Sequence, residues 1–210
     1  MRRLVIATGN AHKVEEYGML LPGIPVGALS EFPPMPDVDE SAPDFIGNAI
    51  LKARAAHFHT GEIVLSDDSG LSVSALDGRP GVRSARYVVG TDRDRYEALL
   101  VEMQQEKDRL AWFTCAIAIA GLPRPETMTP GVSWKDECLV AEGRVNGAIC
   151  RTPRGSNGFG YDPVFELSNG RTAAELSASE KHSISHRGNA LREIRPILTN
   201  FFIDAVTTRR

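Results

Sequence analysis

The chain opens on a short run of strand-forming residues, Leu4-Val5-Ile6-Ala7, that stops at Thr8-Gly9-Asn10 and passes at once into helical spacing. Val14, Tyr17, Met19 and Leu20 predict a helix from about His12 to Leu21. That strand-then-helix step recurs along the chain and limits the folds open to it. Phe45, Ile46, Ala49, Ile50 and Ala53 fall on one helical face, with Asn48 and Lys52, four apart, on another. Residues 63–66 read as a buried strand, and Leu71, Val73 and Ala75 alternate with Ser72 and Ser74 as a second one. Residues 92–107 read as a solvated amphipathic helix, and 112–120 and 137–149 as two long strands. A last helix starts near Ser185, where Pro196 is expected to kink or interrupt it. Between these lie an extended loop, LSEFPPMPDVDESAP, and a Pro-rich connection, GLPRPETMTPGVSWKD at 121–136. The alternation predicts an α/β protein with a mixed sheet.

Composition narrows the function classes. A chain of 210 residues suffices for one sizeable core, with two lobes about a cleft. A net charge of −3 argues against a broad electrostatic footprint for nucleic acid. No apolar run approaches the roughly 20 residues that cross a bilayer, and the stretch before Thr8 is too short for a signal peptide. Cys115, Cys138 and Cys150 are widely spaced and form no CxxC pair, so neither a disulfide framework nor a zinc site is indicated. The expectation is a cytoplasmic, reduced protein without membrane or nucleic-acid partners.

Four clusters carry chemistry. TGNAHK, Thr8 to Lys13, joins the first strand to the first helix, where backbone N–H groups and the helix dipole suit an anion and Lys13 adds a full charge. It is not a Walker A loop, and a plain turn capped by Asn10 is the competing reading. Glu40 with Asp67 and Asp68 offers carboxylates to magnesium, which binds through one or two of them, keeps several waters and bridges substrate phosphates. A cation relieves the repulsion of the paired aspartates, and a carboxylate not committed to it can take a proton from water. The alternative is that Asp67-Asp68-Ser69-Gly70 is simply a tight turn. In SNGFGYDPVF, glycines flank Phe159, freeing its ring to lie on a planar base with Asp162 beside it; otherwise the ring is core. In SEKHSISHRG, Lys181, His186 and Arg187 stand near the start of the final helix, against its dipole, and so call for an acceptor-rich partner or for water. His57 and His59, two apart on a helix, share no face.

With these clusters goes a family likeness. TGNAHK, ESAPDFIGNAILKA, SDDSGLSVSALDGRPGVRSARY, GSNGFGYDPVF and TAAELSASEKHSISHRGNAL occur in the order found in the inosine triphosphate pyrophosphatase family, which the chain resembles in its bacterial form from residue 7 to 191. The resemblance implies an elongated mixed sheet with flanking helices in a single domain, residues 1–210, whose two lobes enclose a central substrate cleft. It implies a phosphate-binding turn at Thr8, Gly9, Asn10, Ala11, His12 and Lys13. Magnesium ligands fall on Glu40 and Asp68, with Asp68 also the proton acceptor and Asp67 beside it. Substrate contacts fall on Lys52 and Ser69, and a base pocket on Phe159, Gly160, Tyr161 and Asp162, closed by Lys181, His186 and Arg187. The implied partners are a purine nucleoside triphosphate and a second copy in a homodimer. The implied reaction is Mg2+-dependent hydrolysis of ITP, dITP and XTP to monophosphate and pyrophosphate. Two rivals are the same fold acting on another nucleotide, as in the septum-formation inhibitor family, and a nucleotide sensor without turnover. The 121–136 connection and the C-terminal tail are longer than such members lead one to expect.

Overall fold

The computed structural model describes residues 2–8 and 11–204. It is a mixed α/β fold. Among the described residues a seven-stranded open sheet runs β2-β1-β3-β4-β6-β5, with β7 on β6. The chain divides into two compact units, one of Met1–Asp68, Ala116–Gly143 and Asn189–Arg210, the other of Ser69–Cys115 and Arg144–Gly188.

In the first unit β1 (Leu4–Ile6) pairs in parallel with β2 (Val26–Ala28) and with β3 (Ile63–Val73), Ile6 standing opposite both Ala28 and Leu65. Parallel neighbours need crossovers. Helix α1 (Ala11–Leu20) lies within the first, and α2 (Phe45–Thr60) within the second. The Asp44 carboxylate caps α2 by accepting from the Gly47 amide at 2.6 Å, and Gly61 ends it in the left-handed conformation at φ 70°. Small residues let α2 lie close to the sheet: Ala49, Ile50 and Ala53 pack on Ala116, Ala118 and Ala120 of β4 (Leu110–Ala120) and on Cys138 and Val140 of β6 (Cys138–Ile149). His57 and His59 carry no cluster. Each ring nitrogen meets a backbone carbonyl, that of Glu62 at 2.6 Å and that of Pro33 at 2.9 Å.

Two expectations for this unit are corrected. Residues 63–66 and 71–75 are not two strands about a turn: β3 is one strand of 11 residues with Asp67-Asp68-Ser69-Gly70 inside it, and 74–76 form a 3-10 turn. The ladder overrides the local turn preference because the carboxylates find cationic partners. The 121–136 connection is not all loop either, since β5 (Val132–Lys135) folds back antiparallel on β6. The last helix, α5 (His186–Thr199), starts where expected, but Pro196 does not interrupt it, and a π-helical turn over Asn200–Asp204 follows.

The second unit has its own core, in which Leu71, Leu99, Met103, Ile149, Tyr161 and Phe165 are buried together. Arg109 staples it, donating to the carbonyls of Met103, Ile149 and Cys150 at 2.6–2.8 Å. Helix α3 (Asp92–Glu102) is shorter than the 92–107 expected; a Thr91–Asp94 capping box begins it, and the Met103 amide closes back on Leu99. Strand β7 (Phe165–Glu166) pairs with the end of β6, and α4 (Ala178–Ile184) is a further helix before α5.

Candidate active site

Side chains alternate across a strand, and β3 uses this to separate its two aspartates. Asp67 meets α1: Lys13 Nζ stands 2.9 and 3.1 Å from its two carboxylate oxygens. Asp68 meets α2: Asn48 Nδ2 donates to Oδ2 at 3.1 Å, and Lys52 Nζ stands 3.4 Å from Oδ1. Both carboxylates are nearly closed off from water, Asp67 at 4% and Asp68 at 8% exposure. Adjacent buried carboxylates survive here because each has its own ammonium group. Burial pushes the Asp68 carboxyl above its ordinary range; the Lys52 charge and the Asn48 hydrogen bond oppose that rise, and Glu40 adds to it.

Glu40 arrives from the extended segment before α2, and its Oε1 lies 3.3 Å from the same Lys52 Nζ. Glu40 and Asp68 therefore converge on one cation, an ammonium. Among the described residues no group of three or more His, Cys, Asp or Glu could hold a metal by itself. Magnesium does not need such a cage, since one or two carboxylates suffice when water and phosphate oxygens complete its shell. Two convergent carboxylates, Glu40 and Asp68, fit that requirement.

The rest of the expected phosphate turn divides. Thr8 follows β1, its amide bonded to the Ile6 carbonyl at 3.0 Å, while Gly9 and Asn10 lie outside the described residues. Ala11 and His12 contribute the first backbone turn of α1. Ser69, next in β3 after Asp68, is half-buried and belongs to the second unit.

In that second unit the Phe159 loop is braced from three sides. The Asp162 carboxylate accepts from the Phe159 amide at 2.8 Å and also pairs with Lys181 of α4. Asp92 of α3 accepts from the Gly160 amide at 2.7 Å, and Gly160 takes the φ of 62° that a side chain would resist. The Phe159 ring is left 53% exposed with Lys181 Nζ 4.7 Å from its centre, so it is not a core aromatic. Tyr161 is core: it is 4% exposed and its hydroxyl donates to the Ser84 carbonyl at 2.9 Å, so its contribution to any ligand comes from its backbone. His186 stacks on Phe113 at 5.0 Å, and Arg187, in the first turn of α5, is 3% exposed.

The sequence reading assigned no role to Asn48, Asp92 or Asp162 in holding these groups. For Asn48 a signal was present in its shared face with Lys52. For Asp92, which lies 68 residues from Gly160, there was none.

Comparison with known proteins agrees with the motifs. A dITP/XTP pyrophosphatase of Prochlorococcus marinus is 42% identical over 200 residues, 94% of this chain and 93% of its own length. One of Thermosynechococcus vestitus is 45% identical over 197 residues, covering 93% and 94%. Among solved structures, the Ham1 protein of Staphylococcus aureus superposes with a TM-score of 0.81 at 38% identity over 94% of this chain and 98% of that one. A HAM1 protein of Coxiella burnetii superposes at 0.82 with 40% identity, covering 95% and 99%. The family model described as Ham1 family matches residues 4–197, nearly the whole described chain, and the chain belongs to that family.

Proposed function

We infer that the protein is a nucleoside-triphosphate pyrophosphatase that hydrolyses deaminated purine nucleotides, ITP, dITP and XTP, to the monophosphate and pyrophosphate. The observation that carries this reading is the buried Asp67–Asp68 pair, matched by Lys13 and by Lys52 with Glu40. Relatives bearing the name dITP/XTP pyrophosphatase supply the substrate class. In this reading Glu40 and Asp68 hold Mg2+, which when bound neutralises charge on the phosphates and favours hydrolysis. Lys13 and Lys52 turn from the carboxylates to phosphate oxygens, and Thr8, Ser69 and the backbone of Ala11 and His12 add donors. Water adds across the α–β phosphoanhydride: one proton passes to a carboxylate, and pyrophosphate leaves. Asp68, oriented by Asn48 and beside Lys52, is the carboxylate assigned to receive that proton. The reading includes a cytoplasmic homodimer. Among the described residues no helix is long and apolar enough to cross a membrane.

The purine is assigned to the second unit, where Phe159 offers an exposed ring. Phe159→Ala is expected to weaken binding of every purine triphosphate alike, by roughly 1–3 kcal/mol. Its melting temperature should stay put, because the ring is not core. A drop in melting temperature with unchanged KM contradicts the stacking role.

Arg187 is assigned to the acceptor at purine position 6. Adenine presents a donor there, and an arginine can only donate. A buried donor left unpaired is costly, so removing it hurts the right substrate more than the wrong one. The ITP-to-ATP ratio of kcat/KM is expected to fall in Arg187→Ala, with Arg187→Lys in between. Equal losses on both substrates would instead place Arg187 on phosphate. The proposal as a whole is tested by pyrophosphate release from ITP, XTP, GTP, ATP and dTTP, with Mg2+ and with chelator. Strong Mg2+-dependent release from ITP and XTP is expected; no release from any triphosphate overturns it.

A further inference from the structure

Asn48 is fully buried, and its two amide ends face groups that demand opposite chemistry. Oδ1 accepts the Ala42 amide hydrogen at 3.0 Å, and Nδ2 donates to Asp68 Oδ2 at 3.1 Å. The orientation of the amide follows from its partners, since a peptide N–H can only donate and an ionised carboxylate can only accept. Ala42 lies two residues after Glu40, in a segment without regular structure of its own. One side chain thus ties the Glu40 segment to the same helix that orients Asp68. It also chooses which Asp68 oxygen remains available: Oδ2 is taken by the amide, while Oδ1 faces the Lys52 ammonium that it shares with Glu40.

We propose that Asn48 is a positioning residue for the cation site, fixing Glu40 and Asp68 at the separation and orientation at which they bind one metal ion together. The proposal rests on the assignment of these two carboxylates to Mg2+. An aspartate at this position keeps the acceptor and loses the donor, a lysine does the reverse, and leucine loses both; an amide is the short side chain that supplies each. Groups that orient metal ligands without touching the metal are worth about 10–100-fold in metal affinity where they have been removed.

The test uses the full chain and two variants. Asn48→Leu removes both bonds while keeping the branched outline of the side chain, with two bulkier methyl groups in place of the amide O and NH2. Ala42→Pro removes the peptide hydrogen from the other side, at a partly buried position outside the helix, and leaves the Asn48–Asp68 contact standing. Mn2+ binding to the nucleotide-free protein, followed by electron paramagnetic resonance, is the readout that does not depend on turnover. Mn2+ affinity is expected to fall about tenfold or more in Asn48→Leu, and to a lesser extent in Ala42→Pro. The Mg2+ concentration for half-maximal pyrophosphate release should rise in parallel, with kcat largely recovered at saturating metal. A purely structural Asn48 would lower the melting temperature and kcat while leaving both metal titrations at wild-type values, and that result overturns the proposal. If Asn48→Leu fails to fold, an unchanged Mn2+ affinity in Ala42→Pro overturns it equally. A wild-type protein that binds no Mn2+ would instead refute the metal assignment itself, and this inference with it.

Discussion

Asp68→Asn is expected to lower pyrophosphate release by about 10²–10⁴-fold, the range spanned by a positioned acid or base, while leaving the fold intact. The substitution nearly keeps shape and keeps an acceptor for Asn48, yet removes the charge that a cation and a water proton both need. It has an opposite effect on stability. Burial raises the Asp68 pKa, so the folded chain holds that proton more tightly than the unfolded chain does. The stability contributed by such a group is fully present below its unfolded pKa and is lost as pH rises through the folded one. At neutral pH the ionised carboxylate is therefore a net liability that asparagine removes. The melting temperature of Asp68→Asn should exceed that of the wild type near neutrality. The gap should close as pH falls through the raised pKa into the ordinary carboxylate range, where Asp68 takes up its own proton. Near wild-type turnover would sink the catalytic assignment. A melting temperature that falls at neutral pH would show that the Lys52 and Asn48 contacts outweigh desolvation.

The second large effect concerns Lys13. Its ammonium pairs with Asp67, whose side chain is only 2% exposed, while Lys13 itself is 21% exposed. Lys13→Met strips a buried carboxylate of its ion pair. The expected loss is about 2–3 kcal/mol in urea unfolding, at or below the low end of values for fully buried pairs because Lys13 still reaches water. Adding Asp67→Asn should restore most of that loss, since no charge then remains to be desolvated, and the non-additivity measures the pair. Turnover should not return with stability if Lys13 also contacts phosphate. A double variant that regains both would reduce Lys13 to a counter-ion, and strictly additive losses would deny the pair any worth.

What the sequence disclosed and what it hid follow from the range of the forces involved. Helix α2 was legible because its signal is local, an apolar face formed by Phe45, Ile46, Ala49, Ile50 and Ala53. The charged site was legible through the order of the family motifs, since by residue type alone Asp67-Asp68-Ser69-Gly70 suits a tight turn as well. Strand β3 was misread because turn preference is local, whereas the pairing of Ile6 with Leu65 and the two lysine contacts are not. Strand β5 was hidden by a hairpin that lacks its usual signal: Asp136 and Glu137 take φ of 47° and 63° without a glycine. Helix α4 was missed although Ser177 and Glu180 form a capping box. The brace of Asp92 on Gly160 rests on tertiary placement alone, and no spacing rule reaches it.

The addition of water at the α–β bond of a deaminated purine triphosphate by the Glu40, Asp67 and Asp68 group is the step on which the proposed function turns. Its most direct test is the product pair from ITP, resolved by phosphorus NMR in Mg2+ buffer for wild type and Asp68→Asn side by side. The wild type should give inosine monophosphate and pyrophosphate in equal amounts, and the variant should leave ITP intact over the same time. Inosine diphosphate with inorganic phosphate, or equal conversion by both proteins, would contradict it.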